Sequence, residues 1–266
     1  MNIINETTDI LLSSGYSEYC IRADRDIEIS FRGYEKSEVY ICIEKAKKVI
    51  IRSFAGKNSD IKFLLWNNTA SLLDINETYD VMQNSNVVVA YGECNEADTK
   101  RNTYMALRGE NATGKLSSAL LVKNKKDIKL QLVNFAKRTT GNIENYSVVL
   151  KDGKLMIDAI GKIVKGASRS ESHQSSRAMS FASGQSTTIL PELLIDENDV
   201  QASHAMSIGR VDENQLYYMM SRGLSVEACT ALISTGYLMP ITRVLEDKEL
   251  SEKLTKEMER KMAELC

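Results

Sequence analysis

Two histidines, His173 and His204, and five cysteines, Cys20, Cys42, Cys94, Cys229 and Cys266, are the side chains of this 266-residue chain best suited to metal or nucleophilic chemistry. A neutral imidazole or a thiolate is a competent ligand for iron or zinc. The two histidines do not share a helix turn, and the cysteines are scattered, odd in number and without a Cys-x-x-Cys pair. A self-contained zinc site therefore has no local template. The sequence holds no Walker-type phosphate loop, no dinucleotide-binding glycine fingerprint and no Gly-x-Ser-x-Gly. A nucleophile and its base would have to be assembled from distant residues, so the chain reads as one without a catalytic site of its own.

His204 sits in Asp199-Val-Gln-Ala-Ser-His204-Ala-Met-Ser-Ile-Gly209. It reads either as a hydrogen-bonded structural histidine at a junction between strands and helices or as a metal ligand. His173, in a serine-rich stretch, reads as surface or turn. Cys229 shares a helix face with Leu232 and Ile233, and Cys20, Cys42 and Cys94 lie in or beside apolar runs. All four read as small buried hydrophobes, the usual fate of a free cysteine. Cys266 is the terminal residue and reads as frayed.

The elements that must position these groups change character along the chain. Ile3, Ile4, Leu11 and Leu12 fall loosely on one helical face, which predicts a short N-terminal helical segment over residues 1–17. From about Glu18, short β-branched runs follow one another: Val39–Ile43, Lys48–Phe54, Ile61–Trp66, Val87–Tyr91, Thr103–Leu107, Ser117–Val122, Ile128–Phe135, Tyr146–Leu150 and Leu155–Ile163. Polar turn clusters separate them, with Asp152-Gly153 the best tight turn. Asparagines recur at the bends, where a left-handed backbone and side-chain ladders suit them. Many short strands suggest a sandwich, a barrel or a solenoid, and no repeat of fixed length decides among them. Residues 165–186, rich in Ser, Gly and Ala, read as a loop or as strands with small side chains.

The last third reads as helical. Asp212 and Ser225 are N-caps, and Gly223 and Gly236 are stops. A third helix from about Thr242 carries a stripe of Leu250, Leu254, Met258, Met262 and Leu265, which either packs on the two preceding helices or docks a partner. Removing the chain from Asp212 onward is then expected to leave a folded β body.

Composition limits the partners. Lys and Arg number 34 and Asp and Glu 36, a net charge of −2, so no global positive field favours nucleic acid. No apolar run approaches the roughly 20 residues of a membrane helix. The N-terminus carries Glu6 and Asp9 without an early basic cluster, unlike a secretory signal. With unpaired cysteines, this reads as a cytoplasmic chain.

From Pro191 to Gly236 the sequence resembles the C-terminal core of the SufB/SufD family, the non-ATPase components of the Suf iron–sulfur cluster assembly machinery. The resemblance is carried by Pro191-Glu-Leu-Leu-Ile, by the segment around His204, by Leu216-Tyr-Tyr, Ser221-Arg-Gly-Leu and Ala228, and by Gly236-Tyr237. Upstream, Thr139-Thr-Gly141 and Gly161-Lys-Ile-Val-Lys-Gly-Ala167 resemble the end of that family's β body, so the likeness runs from about Phe135 to Gly236. It implies a mainly β chain, a right-handed parallel β-helix over 18–209 of six or seven turns at about 20–25 residues each, and a helical C-terminal domain over 210–266. It also implies a dimer through the β-helix, with itself or with a SufB-like subunit, and binding of a SufC-type ABC ATPase through the C-terminal helices. No intrinsic cofactor is implied, only a transient iron–sulfur cluster or iron, with His204 at the family's Ser-His position as the metal-binding residue. Ala202 stands where the family often has Cys, and Ala205 where SufB-type chains have Glu. These departures tilt the chain toward a SufD-like subunit or a minimal SufB-like relative. The competing readings are a β-solenoid enzyme acting on polysaccharide, which needs two carboxylates at a defined separation, and a non-catalytic interaction module.

Overall fold

The computed structural model describes residues 1–181 and 184–265, the side chain of Leu265 excepted. The chain winds into a parallel β-solenoid that closes with three C-terminal helices. Odd-numbered strands form one nine-stranded sheet: β1 (Asn2–Ile4), β3 (Gly15–Arg22), β5 (Lys36–Lys45), β7 (Asp60–Asn67), β9 (Asn86–Glu93), β11 (Thr113–Val122), β13 (Thr140–Val149), β15 (Ser170–Ser180) and β17 (Val200–Arg210). Even-numbered strands form the facing eight-stranded sheet: β2 (Thr8–Leu11), β4 (Ile27–Gly33), β6 (Lys48–Ala55), β8 (Leu73–Val81), β10 (Thr99–Leu107), β12 (Lys125–Asn134), β14 (Lys154–Ile163) and β16 (Ser186–Ile195). Each strand pairs in parallel with the strand two places on, so successive turns of the coil stack directly.

Alternation sends every second side chain inward. In β8 the inward lane is Leu73, Ile75, Glu77, Tyr79 and Val81, all buried. Tyr19, Phe31, Phe63 and Tyr79 meet edge-on or tilted across the interior at 5.8, 5.5 and 5.5 Å between ring centres. Such pairs add about 0.5–1.5 kcal/mol each beyond their buried area.

The corners form the expected asparagine ladder. Asn58, Asn84 and Asn111 adopt φ of 59°, 57° and 59°, and Arg138 and Arg169 continue the column in the same conformation. Asn84 donates to Asn58 at 3.1 Å, Asn111 to Asn84 at 2.9 Å, and Arg138 to Asn111 at 2.9 Å. The separation of stacked partners explains why no repeat of fixed length shows in the sequence. It is 22 residues between Cys20 and Cys42, 26 between Asn58 and Asn84, and 31 between Asn145 and Ser176. The turns differ in length at their loops, while the strands of successive turns still pair residue by residue, with one slip between β3 and β5.

Two expectations are corrected and a third is narrowed. Residues 1–17 hold β1, β2 and the start of β3 rather than a helix. Ile4 and Leu12 enter the solenoid core, because an inward lane on one strand and a loose helical face are hard to tell apart over so short a span. Of the two readings of residues 165–186, strands with small side chains describes β15, whose inward Ser170, Ser172, Gln174, Ser176, Ala178 and Ser180 are small or polar and buried. Gly236 does not stop a helix: α2 (Val226–Leu238) runs through it and passes into a 3-10 turn over Met239–Arg243. Asp152 is a tight-turn residue at φ 64°, and a Cβ on Gly153 would lie 2.3 Å from the Val122 carbonyl oxygen.

The helices α1 (Glu213–Ser221), α2 and α3 (Lys248–Leu265) begin where β17 ends. Asp212 caps α1 by accepting from the Asn214 amide, and Ser225 caps α2 by accepting from the Ala228 amide. The stripe on α3 lies against the outer face of the nine-stranded sheet as well as on α2. Leu250, Leu254, Met258 and Met262 share one buried cluster with Tyr40, Leu64, Trp66, Ala90, Leu121 and Val148. The Trp66 indole donates to Glu257 at 3.2 Å. Trp66 lies over Gly92 of the next strand, where a Cβ would stand 2.2 Å from the ring. Lys62 binds Glu38 and Glu246 at 2.9 Å each and ties the segment before α3 to the sheet. A cut at Asp212 would bare Trp66 and its neighbours, so the helices share their core with the β body. Leu265 of the stripe and terminal Cys266 lie outside the described side chains.

Candidate functional site

Parity decides where His204 points. In the ladder of β15 with β17, Gln174 pairs with His204 and Ser172 with Ala202. Gln174 is inward: its amide nitrogen crosses the interior to donate to the Glu192 carbonyl of β16 at 2.8 Å. His204 therefore lies on the inward lane of the last strand, with Ala202, Met206 and Ile208. Nothing in the described chain stacks above β17 or β16, which are the terminal strands of their sheets. The inward lane ends there as an open rim. Met206 and Ile208 are exposed, as are Leu190, Leu194 and Ile195 along β16. Pro191 stands in β16, an edge strand, where a missing amide donor is tolerated. Below His204, Gln174 is 4% exposed and its amide oxygen Oε1 has no hydrogen-bond partner.

Candidate ligands do not gather around His204 within one chain. Among the described residues, no group of three His, Cys, Asp or Glu side chains with ligand atoms within 4.8 Å of one another includes it. Cys94 follows β9, four strand spacings or about 19 Å from β17. Cys229 is buried in α2, which packs on the outer face of the nine-stranded sheet, opposite to the face His204 occupies. His173, one residue off the inward lane, accepts from or donates to the Ser203 hydroxyl at 2.7 Å through Nδ1 and lies 3.6 Å from Glu171. It is a surface group, as its polar surroundings imply.

The interior holds a second polar constellation that motif searching missed. Arg101, 1% exposed, donates to Glu77 and to Glu93 at 2.8 Å each and lies 4.0 Å from the centre of the Tyr91 ring. Lys126 donates to Asn95 at 2.6 Å, to the Ala97 carbonyl at 2.8 Å and to Thr99 at 3.0 Å, with Glu93 at 3.7 Å. Asn67 donates to Glu93 at 2.7 Å and Thr103 to Glu77 at 2.6 Å. Burial alone would raise the Glu93 carboxyl, but Arg101, Lys126 and the hydrogen bonds outweigh it and hold it below the ordinary carboxylate range. Burial pulls the Lys126 ammonium down against the attraction of Glu93. Two carboxylates and two cations thus cancel inside the coil. The available signal was parity: Glu77, Glu93, Arg101 and Lys126 all fall on inward positions of strands whose other inward residues are apolar or hydroxylic, Asn134 of β12 excepted. Glu77 and Glu93 are sealed away and both bound to Arg101, so this carboxylate pair has no face on which a polysaccharide could lie.

The thiols are buried as expected. Burial raises the Cys42 and Cys94 thiols to about 12 each, and raises Cys20 as well. No helix among the described residues is long and apolar enough to cross a membrane.

Comparison with known proteins places this architecture. The family model for the SUF system FeS cluster assembly SufBD core domain matches residues 13–237, extending the likeness through the N-terminal half, where sequence reading found only compatible strands. The chain is 32% identical over 182 residues to the iron–sulfur cluster assembly protein SufD of Bacillus subtilis, covering 68% of this chain and 42% of that one. It is 23% identical over 157 residues to SufD of Escherichia coli, covering 58% and 37%. With an iron–sulfur cluster assembly SufBD family protein of Mycobacterium tuberculosis it shares 29% over 141 residues, covering 52% and 17%. The chain spans less than half the length of these relatives. A solenoid of this topology, matched along almost its whole β body, belongs to the SufBD core family of iron–sulfur cluster assembly proteins.

Proposed function

We propose that this chain acts as a SufD-like subunit that pairs through its open C-terminal rim and places His204 at the resulting interface as a ligand for iron or a nascent cluster. The observation that carries this reading is the rim itself. Two terminal strands expose Leu190, Leu194, Ile195, Met206 and Ile208 together with an unpaired edge, and His204 stands on the inward lane above a buried amide oxygen with no partner. An apolar edge of this kind is a pairing template. A second copy or a SufB-like chain added there would continue the sheets and supply the thiolate or carboxylate ligands that Ala202 and Ala205 do not. The cluster is cargo, held while it is built and then released.

The ATPase of the complex, of the SufC type, is assigned to α1 and α2. Tyr217, Tyr218 and Met220 of α1 and Val226 and Leu232 of α2 are exposed, with Leu224 between them, and α1 buries none of its residues. The α3 stripe is already covered by the solenoid and is not part of this surface.

Coexpression of the full chain with a SufB-like subunit and a SufC-type ATPase, followed by mass analysis of the complex, tests the reading. A complex containing all three, or a homodimer with the ATPase, is expected. His204→Ala is expected to keep the complex and lower cluster formation in a reconstituted assay. Normal cluster formation by a folded His204→Ala complex would remove the ligand assignment, and a chain that stays monomeric beside both partners would remove the pairing.

A further inference from the structure

Far from the rim, in the first turns of the solenoid, Cys20 of β3 stacks directly on Cys42 of β5. Both side chains lie on the outer face of the sheet, Cys42 within the cluster that α3 covers. The ladder slips between Ile21 and Arg22: Ile21 still pairs with Ile43, but Arg22 pairs with Lys45. Glu44 is the extra residue of this bulge. Bulges re-aim a side chain, and here the Glu44 carboxylate turns toward the two sulfurs. One ligand atom from each of Cys20, Cys42 and Glu44 lies within 4.8 Å of the others.

The geometry points to a binding site for a thiophilic divalent cation formed by Cys20 Sγ, Cys42 Sγ and the Glu44 carboxylate. A tetrahedral ion with sulfur bonds of about 2.3 Å and oxygen bonds of about 2.1 Å holds its ligands about 3.5–3.8 Å apart, so the three groups need to close by only about an ångström. Three protein ligands leave a fourth position for water. Cys20 is 1% and Cys42 5% exposed, whereas Glu44 reaches solvent and gives the ion its entry. Charge also balances. Two thiolates and a carboxylate carry −3, a divalent ion supplies +2, and the Arg22 guanidinium, 2.5 Å from Glu44, supplies the remaining +1. A bound ion displaces the thiol protons itself. The amide nitrogen of Asn68 approaches Cys42 Sγ at 3.9 Å, a donor suited to a metal-bound thiolate. A search for Cys-x-x-Cys spacing cannot find such a pair, because the ligands are one full turn of the coil apart. The site is independent of the His204 reading.

Cobalt(II) titration of the full chain in a Cys266→Ser background tests it. One equivalent should bind with a thiolate-to-cobalt charge-transfer band, and zinc should displace it. Cys20→Ser and Cys42→Ser should each weaken binding by about 100-fold or more, beyond the 10–100-fold cost of losing an outer-shell group, and Glu44→Gln by about 10–100-fold. Cys94→Ser and Cys229→Ser should leave the band unchanged. No stoichiometric band, a band that survives in Cys20→Ser and Cys42→Ser, or equal loss in Cys94→Ser would each overturn the site. Should a cysteine variant fail to fold, surface residue Glu44 decides alone, and unchanged cobalt affinity in Glu44→Gln overturns the proposal.

Discussion

The middle of the solenoid and its last turn use the same inward lane in opposite ways. Around Arg101 the lane carries four charges, and the chain above and below supplies a partner for almost every donor and acceptor; only Arg101 Nε is left over. At β15 and β17 the lane carries Ser, Gln, His and apolar groups, and Gln174 Oε1 is left without a partner under His204. Charge in the middle is sealed by the next turn of the same chain. The last turn has no next turn, so its lane is completed only from outside. A buried polar group that the chain pairs itself serves folding, and under the proposed pairing the one left open at the edge is completed by the added chain.

The sharpest test of the contrast is Arg101→Met. It strands Glu77 and Glu93 in the interior, and a buried pair broken on one side costs about 3–5 kcal/mol. Chemical denaturation should show that loss, while a cost near zero would mean that water or rearrangement already satisfies the carboxylates. On the other side of the comparison, Met206→Glu with Ile208→Lys alters exposed rim positions. Such surface changes usually fall within about 0.5 kcal/mol, but this pair should abolish pairing in light scattering at micromolar concentration. A destabilised monomer, or a dimer that persists, would break the distinction between a folding lane and a pairing lane.

Acid should also separate the two regions. Glu93 is held below its ordinary value in the folded chain, so its contribution is complete above an unfolded carboxyl near 4.3 and drains away as pH falls through the folded value. Stability should therefore drop steeply below about pH 4, and Glu93→Gln should flatten that limb of the curve. Lys126 has the same sense in a more alkaline window: its folded value is lowered, so stability rises with pH between that value and its unfolded value near 10.4. The smallest effect belongs to Gln174→Leu. It gives up the bond to the Glu192 carbonyl but also removes the orphan amide oxygen, so unfolding free energy should move by less than about 1 kcal/mol. A loss comparable to that of Arg101→Met would show that the rim lane, too, is a folding element.

Much of this was written locally. Runs such as Val87–Tyr91, asparagines at the bends and caps at Asp212 and Ser225 depend on neighbours a few residues away, and they fixed strands, corners and helix starts. His204 stood out through its motif. The stacking of the coil was different. Turns that vary in length, from 22 residues between Cys20 and Cys42 to 31 between Asn145 and Ser176, conceal their period, so the sequence could not say that Cys20 meets Cys42, that Arg101 meets Glu77 and Glu93, or that His204 stands over Gln174. Nor could it say that the α3 stripe lies on Trp66, since an amphipathic helix records only that one face is covered and not by what. Local propensity and alternation act over a few residues and are determined by the sequence alone. Register between strands a full turn apart, and the partner of an apolar face, are decided by the closing of the whole coil, because only there do loop lengths, bulges and inward parity have to agree at once.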